Sequence, residues 1–322
     1  MATAWLLRLQ VYGAMLDIPN DRSLHSTPTP RAGGLAILIG IVVGVMIYIP
    51  DVDSFQAMTT GLAVGVLAFI SLLDDIRGTP AFLRLAIHFL SAAIALMTEV
   101  GPEMSLFGHN WFSIAMSWFG ALFFVVWMIN LYNFMDGMDG FAGGMAVIGF
   151  GTFGCLAWIA DSPLFMVLSF IIAAAAGGFL LFNFPPARIF MGDTGSSILG
   201  FLAGVFILWA DRLGVFPFWV GVLVFSPFIV DATVTLLRRL AAGELVWEAH
   251  KTHYYQRLVQ LGWGHRKTTL VEYTVMLLAA LGGIVAVQSP SSVQWLLIFL
   301  FVVLYFIAAV IIAAMEKRAD CA

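Results

Sequence analysis

Charge is scarce in this chain: only 11% of its 322 residues are Asp, Glu, Lys or Arg, while 61% are hydrophobic. A water-soluble domain carries roughly 25% charged residues, so this composition excludes one and leaves an integral membrane protein. Cysteine is nearly absent as well. Its two copies, Cys155 inside an apolar run and Cys321 at the tail, are not expected to form a disulfide and add nothing catalytic. Short alternating segments are missing, which argues against a membrane β-barrel. The formal net charge of −4 averages a basic face with an acidic one, and no nucleic-acid patch is implied.

What is present is a series of apolar runs, at residues 34–50, 57–73, 82–98, 112–129, 141–160, 163–182, 195–210, 215–237, 270–287 and 293–315. Each approaches the ~20 residues that a helix needs to cross a bilayer, and a helix keeps its backbone hydrogen bonds internal. The pattern predicts an all-α polytopic membrane helix bundle, one transmembrane domain over residues 1–322. It has about ten full spans and a short partial helix in residues 1–15. A signal peptide is a poor reading of those first residues, because Asp17-Ile18-Pro19-Asn20 follows at once without a small-residue cleavage site.

With helices alternating sides, the 15 Lys and Arg residues sort sharply: apart from Arg8 in the first segment, only Arg212 falls opposite the rest. The basic side is the cytoplasmic one, and the outer side carries Asp51, Asp53, Glu99, Glu103, Asp161 and Asp211. The cytoplasmic loops are then 17–33, 74–81, 130–140, 183–194 and 238–269. Four polar clusters share that side, which points to one active site at the membrane surface.

Asp74-Asp75 places two adjacent carboxylates beside Arg77, able to orient a cation or manage a proton; the plain alternative is a solvated helix end. Asn130, Asn133 and Asp136 recur every three residues, on roughly one helix face, and Asp139 follows. Their oxygens are hard ligands suited to Mg²⁺, which takes one or two protein groups beside a phosphate, and the alternative is an Asn/Asp/Gly turn. Gly192-Asp193-Thr194-Gly195-Ser196 opens a helix, where backbone N–H groups and the dipole favour phosphate and Asp193 supplies a ligand. N-capping by Asp193 or Thr194 is compatible with that role. The loop with His250, His253, Tyr254 and Arg257, then Trp263, His265 and Arg266, suits a phosphorylated, ring-bearing ligand better than zinc, or else rests on anionic headgroups. His88 and His109 stand apart from these clusters. Asp231, inside a span, reads as a helix-packing or cleft-edge group, with a proton relay as the alternative.

In order along the chain, Asp17-Ile18-Pro19-Asn20 to His25, Pro28 to Gly34, Asp74-Asp75, Asn130-x-x-Asn133-x-x-Asp136-Gly-x-Asp139-Gly and Phe190-Met-Gly-Asp193-x-Gly-Ser196 resemble the polyprenyl-phosphate N-acetylhexosamine-1-phosphate transferase family, bacterial glycosyltransferase family 4. The resemblance implies transfer of N-acetylhexosamine 1-phosphate from a UDP-sugar to undecaprenyl phosphate, with UMP released, as the first step of cell-surface polysaccharide synthesis. It implies a bacterial inner-membrane enzyme working at the cytoplasmic face of the lipid bilayer, with Mg²⁺ as cofactor and Mn²⁺ as the alternative. It assigns Asp193 and Asn133 to the metal and diphosphate, Asp74 and Asp75 with Asp193 to catalysis near the lipid phosphate, and Asn130, Asp136, Asp139, His250, His253 and Arg257 to substrate binding.

The His loop reads Ala249-His250-Lys251-Thr252-His253, unlike the consecutive histidines of the peptidoglycan-precursor branch, and looks more like the branch that starts O-antigen. The rival readings are a phospho-MurNAc-pentapeptide transferase, differing in the sugar pocket, and a polytopic transporter, which should show internal repeats that this chain lacks. The small-residue stretch 173–178 packs helices within or between chains alike, so no oligomeric state follows.

Overall fold

The computed structural model describes residues 3, 15–19, 24, 27–49, 54–101, 111–245 and 250–320. Apart from residues 3 and 15, the partial helix expected in 1–15 lies outside them, as do Arg22, His25, Asp51, Asp53, Glu103, His109 and Cys321. A short hairpin, β1 (Leu16–Asp17) and β2 (Thr29–Pro30), leads into α1 (Gly33–Tyr48), α2 (Ser54–Arg77), α3 (Ala81–Ala95), α4 (Trp111–Phe134), α5 (Phe141–Ile159) and α6 (Pro163–Asn183). There follow α7 (Gly192–Leu213), α8 (Phe218–Val224), α9 (Ser226–Ala241), α10 (Tyr254–Leu258), α11 (Gly264–Val287) and α12 (Ser291–Asp320).

All ten apolar runs are helical. Eight helices among the described residues are long and apolar enough to cross a membrane, and α8 with α9 makes a ninth if the pair counts as one span. The tenth run is α1, whose 16 residues rise about 24 Å at 1.5 Å per residue. The run 215–237 is not a straight span: α8 and α9 meet at 82°. The break falls where Pro227 enters the first turn of α9, a position that tolerates its missing N–H, whereas mid-helix it would remove a bond.

The burial pattern is that of a multi-pass membrane protein. Trp295, Phe299, Val302 and Phe306 on α12 are exposed, as lipid allows. The interior is built by α5 and α7, where Phe150 meets Phe206 and Phe225 edge-on at 5.7 and 5.8 Å between ring centroids. At one end of the bundle the starts of α1 and α7 are pressed together: a Cβ on Gly34 would overlap the backbone of Gly195. The strand-like segment ahead of α7 pairs with the same entry, Gly33 N–H donating to Phe190 O (2.9 Å), Gly34 N–H to Met191 O (2.7 Å) and Phe190 N–H to Pro30 O (2.8 Å). This clamp holds the Gly192-Asp193 turn in place.

Candidate active site

Gly192 enters α7 with φ +73°, and a Cβ there would lie 2.9 Å from both the Arg31 carbonyl oxygen and an Asp75 carboxylate oxygen. The left-handed backbone and the lack of space both demand glycine. The N-cap residue of α7, Met191, supplies no side-chain cap. The cap comes from α2 instead: Asp75 accepts the backbone N–H groups of Asp193 (2.8 Å) and Thr194 (3.0 Å) and the Thr194 hydroxyl (2.6 Å). A carboxylate at a helix N-terminus satisfies its orphan donors and complements its dipole. Asp75 is thus a buried strut that fixes Asp193, one residue into the helix.

Asp74 faces another way. It closes the end of α2 by accepting the Thr79 N–H (2.5 Å) and hydroxyl (2.7 Å), and it pairs with Arg84 of α3. The same guanidinium nitrogen lies 3.2 Å from Asp193 Oδ2. On the other oxygen, Asn133 of α4 donates Nδ2–H to Asp193 Oδ1 at 2.9 Å while also donating to Ser196 Oγ at 3.0 Å. Asp193 therefore gathers four helices.

Beside it lies a cavity of about 290 Å³ whose lining includes Asp17, Asp136, Asp139, Asp193, Arg31 and His265. Asp136 opens onto it without a side-chain hydrogen bond among the described residues, and burial, with the nearby carboxylates of Asp193 and Asp75, pushes its pKa well above the usual carboxylate range. Asp139 is fully engaged: it accepts the Ala187 N–H at 2.9 Å and faces His265 Nδ1 at 3.0 Å. Asn183 ties the same two loops, accepting the Gly140 N–H (2.9 Å) and donating to Ile189 O (2.8 Å).

The remaining expected site residues do not line this cavity. Asn130 donates to Val126 O at 2.7 Å and meets His88 Nδ1 at 3.3 Å, so His88, set apart in the sequence, touches a motif residue. His250 lies 2.9 Å from the Thr252 hydroxyl; burial and then the neighbouring His253 push it down to about 4, so at neutral pH it offers a hydrogen bond and no charge. His253 faces Asp231 at 3.3 Å. Asp231 also caps α10 by accepting the N–H groups of Tyr254 (2.9 Å) and Tyr255 (3.1 Å), which agrees with a helix-packing role. Arg257 is committed to Glu316 of α12 and stacks over Tyr254 at 4.8 Å. Gln256, between them, lines the cavity, as does His265 further along the same loop.

Asn183, Gln256 and Arg84 were missed from the sequence, and His265 was read only as part of a basic loop. Arg84 had a readable signal: it is the only Lys or Arg in the apolar run 82–98, where an unpaired charge is costly. For a metal, no three His, Cys, Asp or Glu side chains among the described residues form a ready cage. Asp193 on the cavity wall and Asn133, whose amide N–H donates to it, are nevertheless residue types that suit Mg²⁺, which completes its shell with water and substrate phosphate.

Residues 57–211, which hold both acidic motifs and Asp193, match the family model described as Glycosyl transferase family 4. The chain is 30% identical over 316 residues to a probable undecaprenyl-phosphate N-acetylglucosaminyl 1-phosphate transferase of Bacillus subtilis, covering 94% of this chain and 85% of the relative. It is 30% identical over 329 residues to a decaprenyl-phosphate N-acetylglucosaminephosphotransferase of Mycolicibacterium smegmatis, covering 91% and 79%. An undecaprenyl-phosphate alpha-N-acetylglucosaminyl 1-phosphate transferase of Escherichia coli is 27% identical over 310 residues, covering 91% and 82%. A likeness that runs from end to end of the bundle and through its acidic motifs makes this chain a member of glycosyl transferase family 4, the polyprenyl-phosphate N-acetylglucosamine-1-phosphate transferase family.

Proposed function

We propose that this protein transfers N-acetylglucosamine 1-phosphate from its UDP-sugar to undecaprenyl phosphate, at the cytoplasmic face of a bacterial inner membrane, as the initiating step of a cell-surface polysaccharide. The observation that carries the reading is the convergence on Asp193 of Arg84, Asn133 and the Asp75-capped backbone, at the wall of an acidic cavity. The names of the relatives favour N-acetylglucosamine over a muramyl pentapeptide.

A lipid phosphate monoester has a second pKa near 6, so at neutral pH it is mostly dianionic and already nucleophilic. Its oxygen attacks the sugar-bearing phosphorus; the new P–O bond replaces the one to UMP, which departs with the electron pair. There is little proton chemistry for the protein to do, and positioning with charge compensation dominates. Asp193 and Asn133 would hold Mg²⁺, which would supply neutralisation of the diphosphate charge. Arg84 holds Asp74 and Asp193 at a fixed separation and presents a cation at the same edge. Asp75 keeps the α7 terminus from moving, and Asp136 and Asp139 shape the nucleotide side of the cavity.

The test is transfer of label from a panel of UDP-N-acetylhexosamines into organic-extractable lipid by purified protein with undecaprenyl phosphate and Mg²⁺. The expected result is labelled lipid from UDP-N-acetylglucosamine; folded protein that labels no lipid from any donor, muramyl pentapeptide included, sinks the reading.

A further inference from the structure

The cavity lining includes four residues with a side-chain N–H: Arg31, Asn183, Gln256 and His265. Arg31 is paired with Asp17, and the His265 ring lies between Asp139 and the Leu24 backbone. Asn183 spends both ends of its amide, accepting from Gly140 and donating to Ile189. Gln256 is tied differently. Its Oε1 accepts the His253 N–H at 3.3 Å, the return half of a capping box at the start of α10, and Asp231 seats the same helix by accepting the N–H groups of Tyr254 and Tyr255. With the oxygen committed to the cap, Nε2 faces away from it, toward Gly137, another lining residue: a Cβ there would stand 3.4 Å from this nitrogen. Nε2 also meets the Tyr255 hydroxyl, whose own proton goes to Phe134 O at 3.1 Å. That hydroxyl accepts one N–H, and an amide NH₂ carries two.

The second N–H is an uncharged donor at the wall of an acidic cavity. A phosphate gains little from such a donor and more beside Arg84 at Asp193. A neutral carbonyl oxygen is the natural partner of an amide N–H. The nucleotide sugar of the proposed reaction carries two carbonyls that set it apart from close analogues, one in the acetamido group of the sugar and one at C4 of uracil. A site built to hydrogen-bond a substrate group rejects the analogue that lacks it, because its own polar group is then left unpaired.

We infer that Gln256 is a specificity-determining residue for the donor: with Oε1 held by the His253 N–H, its Nε2–H donates to a neutral carbonyl oxygen of the nucleotide sugar, either the acetamido oxygen or uracil O4. The inference rests on the proposed function for the identity of that donor.

The experiment uses the full chain in nanodiscs, as wild type, Gln256→Glu and Gln256→Met. Equilibrium binding compares UDP-N-acetylglucosamine with UDP-glucose, which lacks the acetamido group, and UDP with CDP, which has an amino group in place of O4. Lipid product and thermal unfolding are followed alongside. The readouts are the two affinity ratios, which a general loss of affinity leaves unmoved. Gln256→Glu keeps the oxygen that caps α10 and removes the N–H, so it should unfold like the wild type; Gln256→Met removes both. Both variants are expected to lower one ratio by about three- to tenfold, the factor a neutral hydrogen bond represents, and to leave the other; the ratio that falls names the carbonyl. The inference is overturned if both variants keep both ratios, whatever their unfolding temperatures, since Gln256 is then a cap alone. It is equally overturned if Gln256→Met lowers a ratio and Gln256→Glu does not, because the capping oxygen rather than the N–H then sets the selectivity. Wild type that shows the selectivity yet makes no lipid product contradicts the proposed transfer, while the ratios still decide the role of Gln256.

Discussion

Replacing Asp75 separates a positioning role from a chemical one. In the native protein its carboxylate takes three donors from the start of α7, at 2.8, 3.0 and 2.6 Å, and its residue is only 8% exposed. Asp75→Ala leaves two backbone N–H groups and a hydroxyl without their acceptor in a buried place. Each unmade bond costs about 1–3 kcal/mol, and loss of a helix cap alone about 0.5–2 kcal/mol; since the three share one carboxylate, the sum is roughly 3 kcal/mol. Asp75→Asn keeps one acceptor but turns an amide NH₂ toward a donor, so it should lose about half as much. Unfolding by graded SDS in mixed micelles measures the stability, and transfer to lipid measures the function. Both variants should lose stability and activity together in the order Ala, then Asn, whereas Asp193→Ala should lose activity with stability nearly intact. A normally stable Asp75→Ala protein with no turnover would refute the capping argument and make Asp75 a direct participant in the chemistry.

Other perturbations follow from the same geometry. Arg84→Ala should cut transfer by about ten- to a hundredfold, because it removes the cation shared by Asp74 and Asp193, and Arg84→Lys should recover part of it, since both contacts run through one nitrogen that an ammonium can replace. Gly192→Ala, forced to φ +73° with its methyl 2.9 Å from two oxygens, should cost about 1–3 kcal/mol, read by the same micellar unfolding. For His250, held near 4 against an ordinary 6.5, the unfolded chain binds the proton first as pH falls. Stability should therefore drop between pH 6.5 and 4 and be insensitive to this group above it; His250→Gln should flatten that drop in a pH series of melts. Chelation should abolish transfer and added Mg²⁺ restore it, whereas a rate unchanged by chelator would remove the metal from the mechanism.

The spans were readable because lipid imposes a length and polarity that sequence displays directly, and all ten runs proved helical. The bend at Phe225 was signalled only by Pro227 within its run, which says that a break is tolerated and not at what angle. Within the site, Asp136, Asp139 and Asp193 were visible from spacing, and they do reach one cavity. Asp75 read as half of an acidic pair, because a cap delivered from α2 to residues more than a hundred positions later is a tertiary event with no local trace. Arg257 and His253 read as phosphate grips for the same reason: their carboxylate partners, Glu316 and Asp231, lie on other helices and become neighbours only on folding. Arg84 was overlooked inside an apolar run, where its charge was the clue.

The measurement closest to the central claim is the phosphorus balance of the lipid and aqueous fractions, by ³¹P NMR and mass spectrometry, after wild type and Asp193→Ala are incubated with UDP-N-acetylglucosamine, undecaprenyl phosphate and Mg²⁺. The account predicts a polyprenyl diphosphate carrying N-acetylglucosamine and an equal amount of UMP from the wild type, and neither from the variant. UMP without the lipid diphosphate, or the same yield from both proteins, would contradict it.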